Sequence, residues 1–171
     1  MDEERRSNYE HCSNILLEAE RLGFQNILLP TSYIVGQDAL AFASAIAPST
    51  SRINLLVATR CGEIHPPMLA RAISTLDHIL KGRLTINIIN SDLPGYKEEG
   101  ALRYARCAEV IEILKQSWNE KRIDIDGSIY KLNLPSDSGQ ALSAKRRAAA
   151  LLWRNLSGGP RGLRQALRYF F

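Results

Sequence analysis

Three times within the first ninety residues the chain repeats one pattern: a helix-periodic stretch, a Gly or Pro stop, then a short apolar run with no polar alternation. From Asn8 to Leu22 the apolar positions Cys12, Ile15, Leu16, Ala19 and Leu22 recur at helical spacing, and Gly23 ends the stretch before FQNILLP. A helix over 38–46, stopped by Pro48, precedes RINLLVA. A third opens at Pro67 and breaks at Gly82 before LTINII. Residues 101–118 make a fourth helix, and IDIDGSIYKL reads as a hairpin across Asp126-Gly127. Uniformly apolar strands between helices predict a parallel sheet buried on both faces, hence an α/β fold with short helix-to-strand turns. With 171 residues, 45% of them apolar, the chain has material for one ordinary core.

A doubly wound sheet and an eight-stranded barrel both fit this alternation. No GxGxxG or GxxxxGK[ST] turn occurs, which favours the barrel. In a barrel, polar residues at the C-terminal strand ends face the mouth. Here Thr31 and Ser32, then Thr59 and Arg60, then Asn90, Ser91 and Asp92 follow three successive strands. Asn87 lies within the third strand, where an amide needs partners.

Other features exclude more than they assign. No run reaches the roughly 18–20 apolar residues of a membrane helix, and the charged start, Asp2 to Arg6, is unlike a secretory signal, so a cytoplasmic setting is expected. Cys12, Cys61 and Cys107 are odd in number and lack CxxC spacing, which points to free thiols, two of them on helices, and to no metal site. Seven of the 22 basic residues and none of the 18 acidic ones lie in residues 141–171. The first 140 residues therefore carry a net charge of −3, which gives no sign of nucleic-acid binding.

The blocks GFQNILLPTS, INLLVATR, HPPMLARAISTLDHILKGRLTINIINSD and RYARCAEVIEILKQSW resemble successive blocks of the bacterial luciferase-like flavin monooxygenases, most closely the FMNH2-dependent alkanesulfonate monooxygenases. The resemblance covers roughly residues 8–135. It implies a partial TIM (β/α)8 barrel in residues 1–140, lacking the first strand and the C-terminal half. It also implies use of FMN, as FMNH2 supplied by a separate flavin reductase, with O2, to cleave an alkanesulfonate into aldehyde and sulfite. A homo-oligomer is implied for the full-length family, with neither nucleic acid nor membrane as partner. Another reduced-flavin or F420-dependent oxidoreductase, or a non-catalytic half-barrel dimer partner, is the other reading.

By the same resemblance Asn87 matches a strand asparagine at the flavin ring, and Tyr104 a tyrosine that reaches the flavin phosphate. Thr59 and Arg60 match the mouth of the preceding strand, a cofactor contact and a substrate contact. Each has a plain structural counterpart: a core amide for Asn87, half-buried packing for Tyr104, an ion pair with Glu63 or Asp92 for Arg60. His65 reads as a loop residue, Arg71 and Asp77 as a helix pair, and no catalytic residue is assigned. After LPTS the chain runs Tyr33 to Ala39 without the cysteine of the alkanesulfonate enzymes, so the substrate stays open. Beyond YKLNLPSDSG the resemblance stops. Residues 141–171 are expected to be a basic non-family tail from a shifted frame or retained intron, mobile or loosely helical, with an amphipathic partner- or lipid-binding extension as the alternative.

Overall fold

The computed structural model describes residues 7–34, 36–136 and the backbone of 151–152. Helix α1 (Tyr9–Arg21) starts where the Asn8 side chain accepts the His11 N–H at 2.8 Å, and ends before Gly23, whose φ of +88° only glycine adopts without strain. Strand β1 (Asn26–Leu29) leads to α2 (Ala39–Ile46), capped by Asp38 accepting from Ala41 N–H at 2.8 Å. A 3-10 turn at Ala47–Ser49, containing Pro48, precedes β2 (Asn54–Arg60). Helix α3 (Pro66–Leu80) has proline in its first turn, and its C-terminal chain reversal passes through Lys81 (φ 55°) and Gly82 (φ 83°) into β3 (Leu84–Ile89). Helix α4 (Gly100–Asn119) is followed by the hairpin β4 (Arg122–Asp126) and β5 (Lys131–Pro135), as the Asp126-Gly127 pair led one to expect.

The main sheet is parallel and runs β1-β2-β3-β6, where β6 is Leu151–Leu152; β4 and β5 form a separate antiparallel pair. Register aligns Leu28 with Leu56 and Leu56 with Thr85, then Ala58 with Asn87 and Arg60 with Ile89. The sequence reading places no strand within 141–171, yet β6 pairs there with β3, Leu151 opposite Ile86 and Leu152 opposite Asn87. An unpaired parallel edge is a ready template for a two-residue apolar run. The remaining residues of that segment, and the expectation about their mobility, lie outside the described ones.

One face of the sheet is sealed. Leu55, Val57, Leu84, Ile86 and Ile88 are at most 4% exposed, packed with Leu16, Ile46, Ile73, Leu76, Ile111 and Leu114 in the core beneath the helices. Each such fully buried aliphatic side chain contributes about 1.5–3 kcal/mol. The other face is not. Thr85, Asn87 and Ile89 are half-buried and Leu28 is exposed, so the expectation of strands buried on both faces holds for one face only. The reason is geometric: a barrel buries its inner strand faces by closing, and the described strands form an open sheet.

Two carboxylates fasten the layers. Glu20 Oε1, at the end of α1, accepts the N–H groups of Ser51 (2.9 Å), Arg52 (2.5 Å) and Ile53 (2.9 Å). Burial opposes its ionisation, but these three donors win and lower its pKa. Glu109 on α4 accepts the N–H groups of Ser128, Ile129 and Tyr130 and the Ser128 hydroxyl, holding the hairpin turn. Arg83 donates to the carbonyls of Thr50 (3.0 Å) and Ile53 (2.7 Å), locking the start of β3 to that of β2. The cysteines are free thiols, Cys12 on α1 and a buried Cys107 on α4; Cys61 follows β2 and is buried too.

Candidate functional site

Because all strands of the main sheet are parallel, their C-terminal ends gather on one side, and the polar residues that follow them gather too. Thr31 and Ser32 beyond β1, and Thr59 and Arg60 ending β2, line a cleft of about 350 Å³ with Gln37, Asp38 and Glu63. The loop after β1 and the N-termini of α2 and α3 complete its walls through Tyr33, Ala39 and Leu69.

Arg60 is only 9% exposed, and two of its three guanidinium nitrogens are engaged. Its Nη1 meets Glu63 Oε1 at 2.5 Å and its Nε donates to Ser91 Oγ at 2.8 Å. Of the two acids considered for it, Glu63 is therefore the partner. Asp92 instead accepts from Arg103 Nη1 at 2.6 Å and from the Glu98 N–H at 3.2 Å, and these donors lower its pKa. The Asp92–Arg103 pair holds the first turn of α4 against the loop leaving β3. Thr59 is 5% exposed, and its Oγ1 is buried without a hydrogen-bond partner among the described residues. A buried hydroxyl left without a partner is costly, on the order of 1–3 kcal/mol.

The four site residues expected from sequence do not converge on one cleft. Thr59 and Arg60 do. Asn87 sits on the open inner face of the sheet, in register with Ala58 and half-buried. It is not the fully buried core amide considered as its counterpart. Tyr104 lies in the first turns of α4, half-buried and already engaged with a protein partner. His65 is at the start of α3, its ring edge-on to Tyr130 with centroids 6.4 Å apart.

Sequence reasoning passed over Gln37 and Asp38, and it placed Ser91 at a strand end without its contact to Arg60. The sequence places Asp38 only at the start of a helix; in the structure it caps α2 and also lines the cleft. Ser91 falls in a loop, and only the parallel register brings it to Arg60.

The chain matches the family model described as luciferase-like monooxygenase over residues 2–168. It is 58% identical over 126 residues to a sulfoquinovose monooxygenase of Agrobacterium fabrum (strain C58), covering 74% of this chain and 33% of that protein. A sulfoquinovose monooxygenase of Novosphingobium aromaticivorans is 49% identical over 140 residues, covering 78% and 39%. Among solved structures, the long-chain alkane monooxygenase LadA superposes with a TM-score of 0.76 at 20% identity, over 88% of this chain and 45% of LadA. The open parallel sheet is thus part of a luciferase-like α/β barrel fold, and the chain belongs to the luciferase-like monooxygenase family. It spans between a third and two fifths of the length of the sulfoquinovose monooxygenases it matches.

Proposed function

We propose that this chain carries the flavin- and substrate-binding strands of a reduced-flavin, O2-dependent monooxygenase that desulfonates organosulfonates to a carbonyl product and sulfite. The observation that carries the reading is the polar cleft at the C-terminal strand ends, in a segment 58% identical to a sulfoquinovose monooxygenase. The alkanesulfonate type is the reading from sequence; that identity favours a second one, in which the substrate is a sulfonated sugar.

Reduced FMN, when bound, supplies the electrons that activate O2. The residues present suit it. The Asn87 amide, half-buried, can donate or accept against the polar edge of the flavin ring without adding charge. Tyr104 at the N-terminal end of α4 is assigned to the flavin phosphate, where helix N–H groups favour an anion. Thr59 is kept among the cofactor contacts, and its neighbour Arg60 in the cleft is assigned to substrate. These are binding and orienting roles, and no catalytic residue is assigned to the segment. A cytoplasmic setting, a separate flavin reductase, a homo-oligomer and a boundary near residue 140, where the charge changes, belong to the same proposal.

The test is a chimera in which this chain replaces the matched third of the Agrobacterium fabrum enzyme. Sulfite release from sulfoquinovose, with reduced FMN supplied, supports the reading. A folded chimera that binds reduced FMN and releases no sulfite from either sulfoquinovose or an alkanesulfonate refutes it. Sequencing the transcript around codon 140 tests the boundary: a frame that shifts there supports a separate tail, and an unbroken frame refutes its accidental origin.

A further inference from the structure

The three guanidinium nitrogens of Arg60 are not equally spent. Nε donates to Ser91 Oγ at 2.8 Å and Nη1 to Glu63 Oε1 at 2.5 Å. Nη2 has no hydrogen bond among the described residues and is not sealed from solvent. Arg60 stands where the cleft above meets a neighbouring one bounded by Asp92 and Gly95, and Ser32, Tyr33 and Pro94 line both with it. The Nη1 and Nη2 edge of a guanidinium is the one that takes a forked anion by two parallel N–H bonds, and here Glu63 occupies half of it. The carboxylates that fasten the fold each accept from two or more donors: Glu20 and Glu109 from backbone N–H groups, Asp92 from Arg103 and the Glu98 N–H, Glu98 from both Nη atoms of Arg106. The Glu63 carboxylate accepts from Arg60 alone among the described residues, and its side chain is 31% exposed. Turning it out to water costs one charge-assisted bond and strands no backbone group. The other carboxylate on the wall, Asp38, is committed to the amino end of α2, where it accepts the Ala41 N–H at 2.8 Å.

We infer that Glu63 is a displaceable counterion that holds the place of the substrate's anionic group: an incoming sulfonate takes the Nη1 and Nη2 edge of Arg60, and Glu63 swings out to solvent. Ser91 is a positioning residue, whose bond to Nε fixes the guanidinium plane while the opposite edge changes partner. This rests on the sulfonate-monooxygenase reading above and deepens it, naming the atoms that read the sulfonate and the group that competes for them. The exchange also discriminates. An anion offering one oxygen gains no more than Glu63 already supplies, whereas a forked one engages both nitrogens. It carries a sign that a bracing ion pair does not: loss of a brace would loosen Arg60 and weaken an anion there, and loss of a competitor strengthens it.

The experiment uses the 171-residue chain, isotopically labelled, titrated by NMR with 1-propanesulfonate and read at the backbone amides of Arg60 and Glu63 and at the Arg60 Nε–H. The parent is expected to bind weakly, with a Kd of about 10–50 mM, as a small fragment does against an internal competitor. Glu63→Gln, which keeps the shape and removes the charge, should tighten binding about fivefold, the worth of a partly exposed ion pair. Asp38→Asn removes the same charge from the same wall and retains a good helix cap, and it should change the Kd by less than about twofold. Ser91→Ala should weaken propanesulfonate about threefold in the parent and in Glu63→Gln alike, and Ser91→Thr, which returns the hydroxyl, should restore it. Unchanged or weaker binding in Glu63→Gln, an equal gain in Asp38→Asn, or no response to propanesulfonate in either the parent or Glu63→Gln would each overturn the inference. The chimera result is independent: sulfite release without tighter binding in Glu63→Gln leaves the monooxygenase reading and removes this one, and the reverse leaves an exchanging anion cleft in a protein of other chemistry.

Discussion

Glu20→Ala should be among the most costly single changes at a polar residue of this chain. Glu20 is 9% exposed, and its Oε1 accepts three successive backbone N–H groups where the chain turns into β2. Removing the carboxylate frees all three donors, but not equally: Ser51 and Arg52 are exposed and can find water, whereas Ile53 is 0% exposed. One stranded buried N–H costs about 1–3 kcal/mol, and the lost charge-assisted bonds at the wetter donors bring the total to about 2–4 kcal/mol. With a urea slope of about 2 kcal/mol per molar, the midpoint should fall by about 1–2 M. The pH dependence gives a second check. The folded pKa is lowered below the ordinary 4.5, so the stabilisation is complete above 4.5 and disappears as pH falls through the folded value. Urea unfolding followed by circular dichroism at pH 7 and on acidification measures both. A midpoint within about 0.25 M of the parent at pH 7, or a gap between parent and variant that does not narrow in acid, would refute the argument.

Gly127→Ala places a Cβ against the Glu109 carboxylate, so it should cost about 1–3 kcal/mol in thermal unfolding, and that penalty should vanish in a Glu109→Ala background. Lys81→Gly removes a side chain held at φ 55° and should raise stability by about 0.5–1 kcal/mol, readable in the same urea series; a loss would mean that the lysine side chain makes a compensating contact. In the chimera, Tyr104→Phe should weaken FMN several-fold and leave riboflavin, which lacks the phosphate, unchanged; equal losses for both would place the phenol elsewhere.

Much of the architecture is legible because it is local. Helix periodicity, the Gly23, Pro48 and Gly82 stops and the Asp126-Gly127 turn each act within a few residues, and they place α1 to α4, β1 to β3 and the hairpin. What escapes is whatever depends on distant partners. The β6 pairing needs the open edge of β3, which no local pattern in Leu151–Leu152 announces. The difference between the two sheet faces depends on closure, not on composition. At the site, Thr59 and Arg60 are legible as polar strand ends, but the state of Arg60 is decided by Ser91, 31 residues away, and by which of two nearby acids reaches it. Asn87 and Thr59 illustrate opposite outcomes of one rule. The amide expected to be buried is half open, and the hydroxyl expected at a mouth is the buried one, because register assigns them to opposite faces of the sheet.

The order of strands across the main sheet is also their order along the chain. During synthesis each strand after β1 therefore leaves the ribosome after a neighbour it joins. The helix after β1 can settle on β1 and β2 while later residues are still being added, so burial proceeds in steps from the amino end. The edge on which the sheet grows is at any moment the newest strand, which is also the edge about to be covered. A topology that interleaved early and late strands would leave apolar edges bare for longer, and aggregation competes for such edges.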